Sequence, residues 1–359
     1  MKTLPEIIRA EAAASGILTF ARFMELALYC PDFGYYETQK DTVGRLGDFY
    51  TSVSTGKLFG ELLAFQFADW LAEFKIQGAK VKIIETGAHD GRLAKDILNW
   101  LQLKRPKLFG QLEYCIIEPS ARRQQWQRAT LKEFDPYVRW FAGFPAIAAG
   151  SPQLNGLIFS NELLDALPVH RFGWDAKNKK WFEWGVTVVG GKFAWAKIQN
   201  PGFKIQDSEL ASVLPDGYIV ETSPAAENWW RAAAGILAHG RLLTIDYGLA
   251  AEELFSPSRI NGTLRAYFRH QISDDLLANI GEQDLTAHIN FSAIQKAGEA
   301  AGLKTVMFST QTKFLTEILK KTLADKSFGE WNASRTRQFQ ALTHPEHLGR
   351  AFRVLVQSR

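Results

Sequence analysis

Cysteine is scarce in this chain: among 359 residues there are two, Cys30 and Cys115. Their isolation matches no thiolate metal-ligand spacing and excludes a disulfide scaffold, so a reducing compartment is expected. Long hydrophobic runs are missing too. Nowhere do eighteen apolar residues follow one another, so no membrane span is expected. The N-terminal stretch "MKTLPEIIRAEAAASGILTFARFMELALY" is interrupted by Glu6, Arg9 and Glu11. It lacks the apolar core of a secretory signal and is too acidic for a transit peptide. A bacterial cytoplasm is the expected setting. Charge of one sign is also lacking. The formal net charge is only +4, and basic groups neighbour acids, as in "DAKNKKWFEW", so no nucleic-acid footprint is expected.

What is present is the material of a folded domain, 46% hydrophobic and 22% charged. Helical patterns cover 6–29 and 57–74. Short apolar strands then follow at 81–86, 112–118, 155–160 and 240–247, alternating with helices at 92–103, 120–133 and 223–237. That alternation predicts an α/β domain with a mostly parallel sheet. Segments 303–310 and 351–358 supply last strands, with a polar helical or looped stretch between them. Residues 170–197 differ in texture and predict an antiparallel insertion turning at "DAKNK" and "GG". Of 11 tryptophans, six lie between Trp174 and Trp230, expected as packing in a lid or a homodimer interface rather than as a base-stacking platform. The resulting divisions are 1–75, a helical and loop region; 76–167, the first part of the core; 168–220, the aromatic insertion; 221–248, core again; 249–292, a substrate cap; and 293–359, completion of the core.

The stretch "VKIIETGAHDGRLAKDIL" places Gly87 and Gly91 in a strand-to-helix turn. Such a turn holds ligands beyond the carboxyl ends of parallel strands. Glu85, His89 and Asp90 crowd the place a pyrophosphate would take, and no Walker lysine is present, which disfavours ATPase and GTPase readings. Glu118 ends the next strand, where an acid accepts hydrogen bonds from ribose hydroxyls. An adenosine without phosphates removes the charge conflict. S-adenosylmethionine suits the site best, its ammonium supported by Glu85; the bland alternative leaves Glu85 and Glu118 as strand-end residues.

The sequence resembles the MidA family of methyltransferases, which includes the mitochondrial complex I assembly factor. The resemblance spans about residues 15 to 310. It lies in "FMELALYCPDFGYY", "GRLGDFYTSVSTGKLFGELL", "ETGAHDGRL", "FSNELLDALPV", "RLLTIDYG", "GTLRAYFRH" and "DLTAHINFSAI". It implies a class I, seven-stranded, Rossmann-like methyltransferase core with an N-terminal helical extension and insertions after the fourth and fifth strands. It implies S-adenosyl-L-methionine as donor and protein arginine methylation, with a complex I subunit as one protein substrate. In the family the loop more often reads Gly-Pro-Gly-x-Gly; Gly87 and Gly91 match the outer glycines, and His89 replaces the middle one.

Asn161, Glu162 and Asp165 follow the fourth strand. Three residues apart, Glu162 and Asp165 share a face if the segment turns as a helix. There they can clamp a guanidinium or accept a proton. Alternatively Asn161 caps that helix and the acids sit in its first turn. Asp246, before Tyr247 and Gly248, either positions an acceptor or ends a strand. Asp48, Thr51 and Ser52 close over the donor or organise a turn. Arg265, Tyr267, Arg269, His270 and His288 furnish a cap; both histidines are expected as hydrogen-bonded structural residues rather than metal ligands. Two other functions compete: methylation of an oxygen on a small molecule, and a noncatalytic respiratory-complex assembly protein that keeps the core.

Overall fold

The structure is a computed structural model that describes residues 2–38, 51–74, 81–150, 153–199, 201, 214–269, 271–346 and 348–359. The chain divides into two compact units. One comprises 43–164, 229–247 and 294–359; the other comprises 1–42, 165–228 and 248–293.

The first unit is built on seven strands: β1 (Val81–Thr86), β2 (Leu112–Ile117), β3 (Val138–Phe141), β4 (Leu154–Asn161), β5 (Leu237–Leu249), β6 (Lys304–Thr310) and β7 (Phe352–Ser358). Their order is β6-β7-β5-β4-β1-β2-β3. The five strands from β5 to β3 are parallel, whereas β7 runs antiparallel to both β5 and β6. This is the seven-stranded α/β core that the resemblance implies, and the second unit's 165–228 and 248–293 follow its fourth and fifth strands. Central strands read as almost unbroken apolar runs because helices cover both faces of a parallel sheet. β1 has only Lys82 incompletely buried. Helix Leu58–Glu73 contributes Phe59, Leu62, Leu63 and Phe67 to a core that includes Ile83, Tyr114, Phe159 and Val354.

The chain moves from β1 outward through β2 and β3, then returns to β4 on the other side of β1. That reversal leaves a crevice outside the carboxyl ends of β1 and β4, where ligands of open α/β sheets bind. The sheet is tight where β4 begins. A methyl added at Gly156 would fall on the carbonyl oxygen of Lys82, and one at Gly240 on that of Gly156.

The second unit holds helices Leu4–Ser15 and Phe20–Tyr29, rather than one continuous pattern over 6–29. Gly16 breaks the run at φ 78, and Leu18–Thr19 pairs with Gly185–Val186 before Thr19 caps the second helix through Arg22 N–H. The aromatic insertion forms the expected hairpins, His170–Asp175 with Lys180–Val189 and the latter with Lys192–Ile198. Its tryptophans pack on one another: the rings of Trp174 and Trp181 lie 5.1 Å apart, and Trp184 meets Trp195 edge-on. Arg265–Phe268 centres a separate three-stranded sheet.

The Gly156 contact yields a direct test. Gly156→Ala should cost about 2 kcal/mol or more of unfolding free energy, because the displaced atom is backbone and cannot rotate away. Urea unfolding of the full chain measures it, and an unchanged midpoint would contradict the close approach of β4 and β1.

Candidate functional site

The loop leaving β1 is shaped by three left-handed residues, Gly87 (φ 80), His89 (φ 46) and Gly91 (φ 87). A glycine adopts this conformation freely, and histidine is among the residues that tolerate it. His89 thus adopts, in this chain, a conformation that a glycine at its position would take freely. Its carbonyl accepts a hydrogen bond from Gln127 Nε2 at 3.1 Å. Gly87 faces Leu163, whose Cδ1 would lie 3.0 Å from an added Cβ. Gly91 opens helix Arg92–Lys104. Asp90, just before the cap residue Gly91, accepts from Arg92 N–H at 3.1 Å and pairs with Arg92 Nε at 2.8 Å. A helix terminus already supplied with a carboxylate does not invite a phosphate.

Glu85, only 2% exposed, accepts the Tyr114 hydroxyl at 2.7 Å. Burial raises its carboxyl to about 7, the Tyr114 bond pulls the other way, and the charge of Asp90 adds to the rise. A cation bound nearby would favour its ionised form. Glu118 stands just beyond the end of β2 and is held by N–H donors. Its Oε1 accepts from Ser120 N–H at 3.0 Å, its Oε2 from Gln127 Nε2 at 3.1 Å, and Arg123 Nε lies 3.4 Å from Oε2. Gln127 therefore joins the loop carbonyl of His89, the Glu118 carboxylate and, through Trp140 Nε1 at 3.0 Å, β3.

At the exit of β4, Glu162 is left-handed at φ 51. The helical turn expected to place Glu162 and Asp165 on one face therefore does not form; only Leu164–Ala166 makes a short 3-10 turn. Asp165 is buried in the second unit, where its carbonyl accepts from Ala287 N–H at 2.9 Å. Asn161 ends the strand instead of capping a helix, and its Nδ2 donates to Glu162 Oε1 at 3.0 Å. Ser52 N–H donates to the same oxygen at 3.3 Å. Glu162 is largely buried, which raises its carboxyl to about 8; Asn161 and Ser52 oppose the rise and the charge of Asp246 adds to it.

Asp246 is wholly buried and accepts three backbone N–H groups, from Leu163 (3.1 Å), Leu164 (2.8 Å) and Tyr247 (2.8 Å). These bonds make it a clamp on the turn after β4, the strand-end role that the sequence also allowed. Thr51 is buried in a turn that exchanges hydrogen bonds with Ser54, while Asp48 and His270 lie outside the described residues. His288 sits in the second unit; burial, with Arg259 and Arg265 adding to it, lowers its imidazole to about 4, and its backbone N–H donates to Thr263 Oγ1 at 3.0 Å. Gln127, Tyr114 and Leu163 went unnoticed in the sequence, because a glutamine in a polar helix, a tyrosine in a strand and a leucine in a turn carry no signal of what they meet.

An adenosyl donor fits these residues. Two buried polar atoms at the crevice, Thr86 Oγ1 on β1 and Asn161 Oδ1 on β4, lack a hydrogen-bond partner among the described residues. The carboxylate after β2 and the left-handed loop complete a set of acceptors and close backbone, and the guanidiniums beside them, Arg92 and Arg123, are paired with Asp90 and Glu118.

Comparisons with known proteins agree with this chemistry. The family model of the S-adenosyl-L-methionine-dependent methyltransferases named Methyltransf_28 matches residues 62–309. The chain is 30% identical over 376 residues to the Homo sapiens protein arginine methyltransferase NDUFAF7, mitochondrial, covering 94% of this chain and 79% of the human protein. It is 27% identical over 333 residues to the Drosophila melanogaster homolog, covering 84% and 71%. A crystal structure from Burkholderia thailandensis, a COG1565 superfamily member bound to S-adenosyl-homocysteine, superposes with a TM-score of 0.83 at 31% identity, over 99% of this chain and 92% of that one.

The raised carboxyl of Glu162 has a consequence for stability. Its folded value of about 8 exceeds the ordinary 4.5, so the folded chain holds a proton that the unfolded chain releases between those values. The resulting cost is absent below the unfolded value, grows as pH rises, and is complete above the folded one. Denaturant unfolding between about pH 5 and about pH 9 should show stability falling with pH, with a shallower fall in Glu162→Gln. Identical slopes in the two proteins would contradict the buried, proton-retaining state.

Proposed function

This chain belongs to a family of S-adenosyl-L-methionine-dependent methyltransferases, and from that premise we propose that it methylates an arginine side chain of a protein, with Glu162 as the carboxylate on the acceptor side. Its activity as a methyltransferase and its donor follow from the family match and the S-adenosyl-homocysteine held by the similar Burkholderia protein. The arginine acceptor is supported by the names of the relatives, which are protein arginine methyltransferases at 27% to 30% identity. A complex I subunit is the protein acceptor that the family resemblance implies.

The chemistry supplied by bound S-adenosylmethionine is a methyl group activated on a positively charged sulfur. Everything else falls to the chain. Glu118 receives the ribose hydroxyls at the end of β2, and the Gly87-to-Gly91 loop lets the backbone come close. Thr86 Oγ1 and Asn161 Oδ1 offer their unused hydrogen-bonding capacity to the donor's methionyl end. Glu85 turns fully anionic as a cation binds near it.

The observation that carries the acceptor assignment is the state of Glu162: a strained backbone, a largely buried carboxyl and a raised proton affinity at the strand-order reversal. A guanidinium brought beside it favours the carboxylate and receives paired hydrogen bonds. The attacking nitrogen forms its bond to carbon as the carbon–sulfur bond breaks, and the proton lost from the methylated guanidinium passes to Glu162. Orientation of the nucleophile against an already activated methyl supplies most of the rate. Asp246 keeps the turn that aims Glu162.

Labelled S-adenosylmethionine incubated with host protein and metabolite extracts, followed by mass-spectrometric mapping, should place the label on an arginine nitrogen. Label on a small-molecule oxygen, or no label at all despite donor binding, would contradict the proposal. Glu118→Ala should weaken donor binding at least about tenfold through lost ribose bonds. Glu162→Gln should instead lower turnover roughly a hundredfold with donor affinity nearly intact. Unchanged turnover in Glu162→Gln would remove it from the transfer site.

A further inference from the structure

Gln311 opens the helix Gln311–Ala324 just beyond the segment matched by the family model, and it is wholly buried. Each end of its amide is used. Its Nε2 donates to the carbonyl of Leu342 at 2.9 Å, which satisfies a carbonyl near the end of helix Ala333–Thr343. Its Oε1 accepts the hydroxyl of Ser52 at 3.1 Å, and Ser52 is likewise wholly buried. Ser52 then presents its backbone N–H to Glu162 Oε1. The same loop is tied a second time, where Gln338 Oε1 accepts from Leu58 N–H at 3.1 Å. All of these groups belong to one unit.

We propose that Gln311 is a positioning residue for methyl transfer: through the Ser52 hydroxyl it holds the Ser52 amide on Glu162 and so fixes the orientation of that carboxyl. The inference rests on the reading of Glu162 as the acceptor-side carboxylate. The 3-10 turn Val53–Thr55 has bonds of its own, such as Thr55 Oγ1 to the Ser52 carbonyl at 2.9 Å, so it persists without Gln311. What Gln311 adds is the turn's placement against β4. A buried amide bonded at both ends has few alternative orientations, and a hydroxyl bonded to it loses its freedom to rotate. Among the described residues, Asp246 is the charged group that acts on Glu162, and Asn161 supplies the other hydrogen bond. Asp246 destabilises the carboxylate while the Ser52 amide stabilises it. Withdrawing the amide therefore makes the carboxyl keep its proton to higher pH.

The test follows the Glu162 carboxyl by carbon NMR in the full chain carrying labelled glutamate, with its signal assigned by its loss in Glu162→Gln. Gln311→Met and Ser52→Ala should each move the titration midpoint upward by roughly one pH unit, the value of a hydrogen bond to a charged group. The double variant should move it no further than the larger single change, since both break one chain of bonds. Transfer of label to host protein extract should fall in the same variants under saturating donor. Should Gln311→Met fail to fold, Ser52→Ala decides, because it cuts the same link while the turn Val53–Thr55 keeps bonds of its own. An unchanged midpoint in the folded variants, or additive shifts in the double variant, would overturn the role of Gln311. Full transfer activity in Glu162→Gln would instead overturn the reading of Glu162, so the two failures are separable.

Discussion

A single buried carboxylate, Asp246, governs the geometry of the site. Charge removed from water is costly unless hydrogen bonds replace the lost hydration, and three backbone N–H groups supply them here. Two come from Leu163 and Leu164, so the chain leaving β4 cannot continue straight or wind into a helix. It bends at Glu162, which accepts a left-handed backbone, and it lays Leu163 against Gly87. The loop of β1 and the exit of β4 are thereby coupled, although they are distant in sequence. Each hydrogen bond to such a charge contributes roughly 1.5 to 3 kcal/mol, enough to impose one strained residue.

Four carboxyl groups at the strand ends divide by environment. Glu118 and Asp246 are surrounded by N–H donors, whereas Glu85, buried, and Glu162, partly buried, have fewer partners and rise to about 7 and about 8. Environments that separate neighbouring acids in this way assign them different tasks. Their N–H donors hold Glu118 and Asp246 in place, and the proposed function makes Glu118 the ribose acceptor. Under the proposed function, the raised pair would answer arriving cations, the donor's ammonium at Glu85 and a guanidinium at Glu162.

Much of the core was legible because parallel strands covered on both faces are short apolar runs, and β1, β2, β4 and β5 stand out as such. The hairpins at 170–197 were legible from turn residues between aromatic segments. The pairing of Glu162 with Asp165 was not, since the three-residue spacing assumes a helix that Asp246, more than eighty positions later, prevents. The break at Gly16 was hidden by apolar periodicity on both sides of it. His89 looked like a departure from a glycine position, and it nonetheless holds a left-handed backbone. Gln311 and Gln127 gave no warning at all. Their meaning lies in which buried groups they join, a property of tertiary packing rather than of local pattern.

The most direct examination of this account is the crystal structure of the full chain with S-adenosyl-homocysteine. The account predicts the ribose hydroxyls on the Glu118 carboxylate, the backbone of Gly87 beside the ligand and the thioether sulfur turned toward Glu162. A nucleoside bound away from the ends of β1 and β4, or a crevice closed by Leu163 with the ligand excluded, would contradict it.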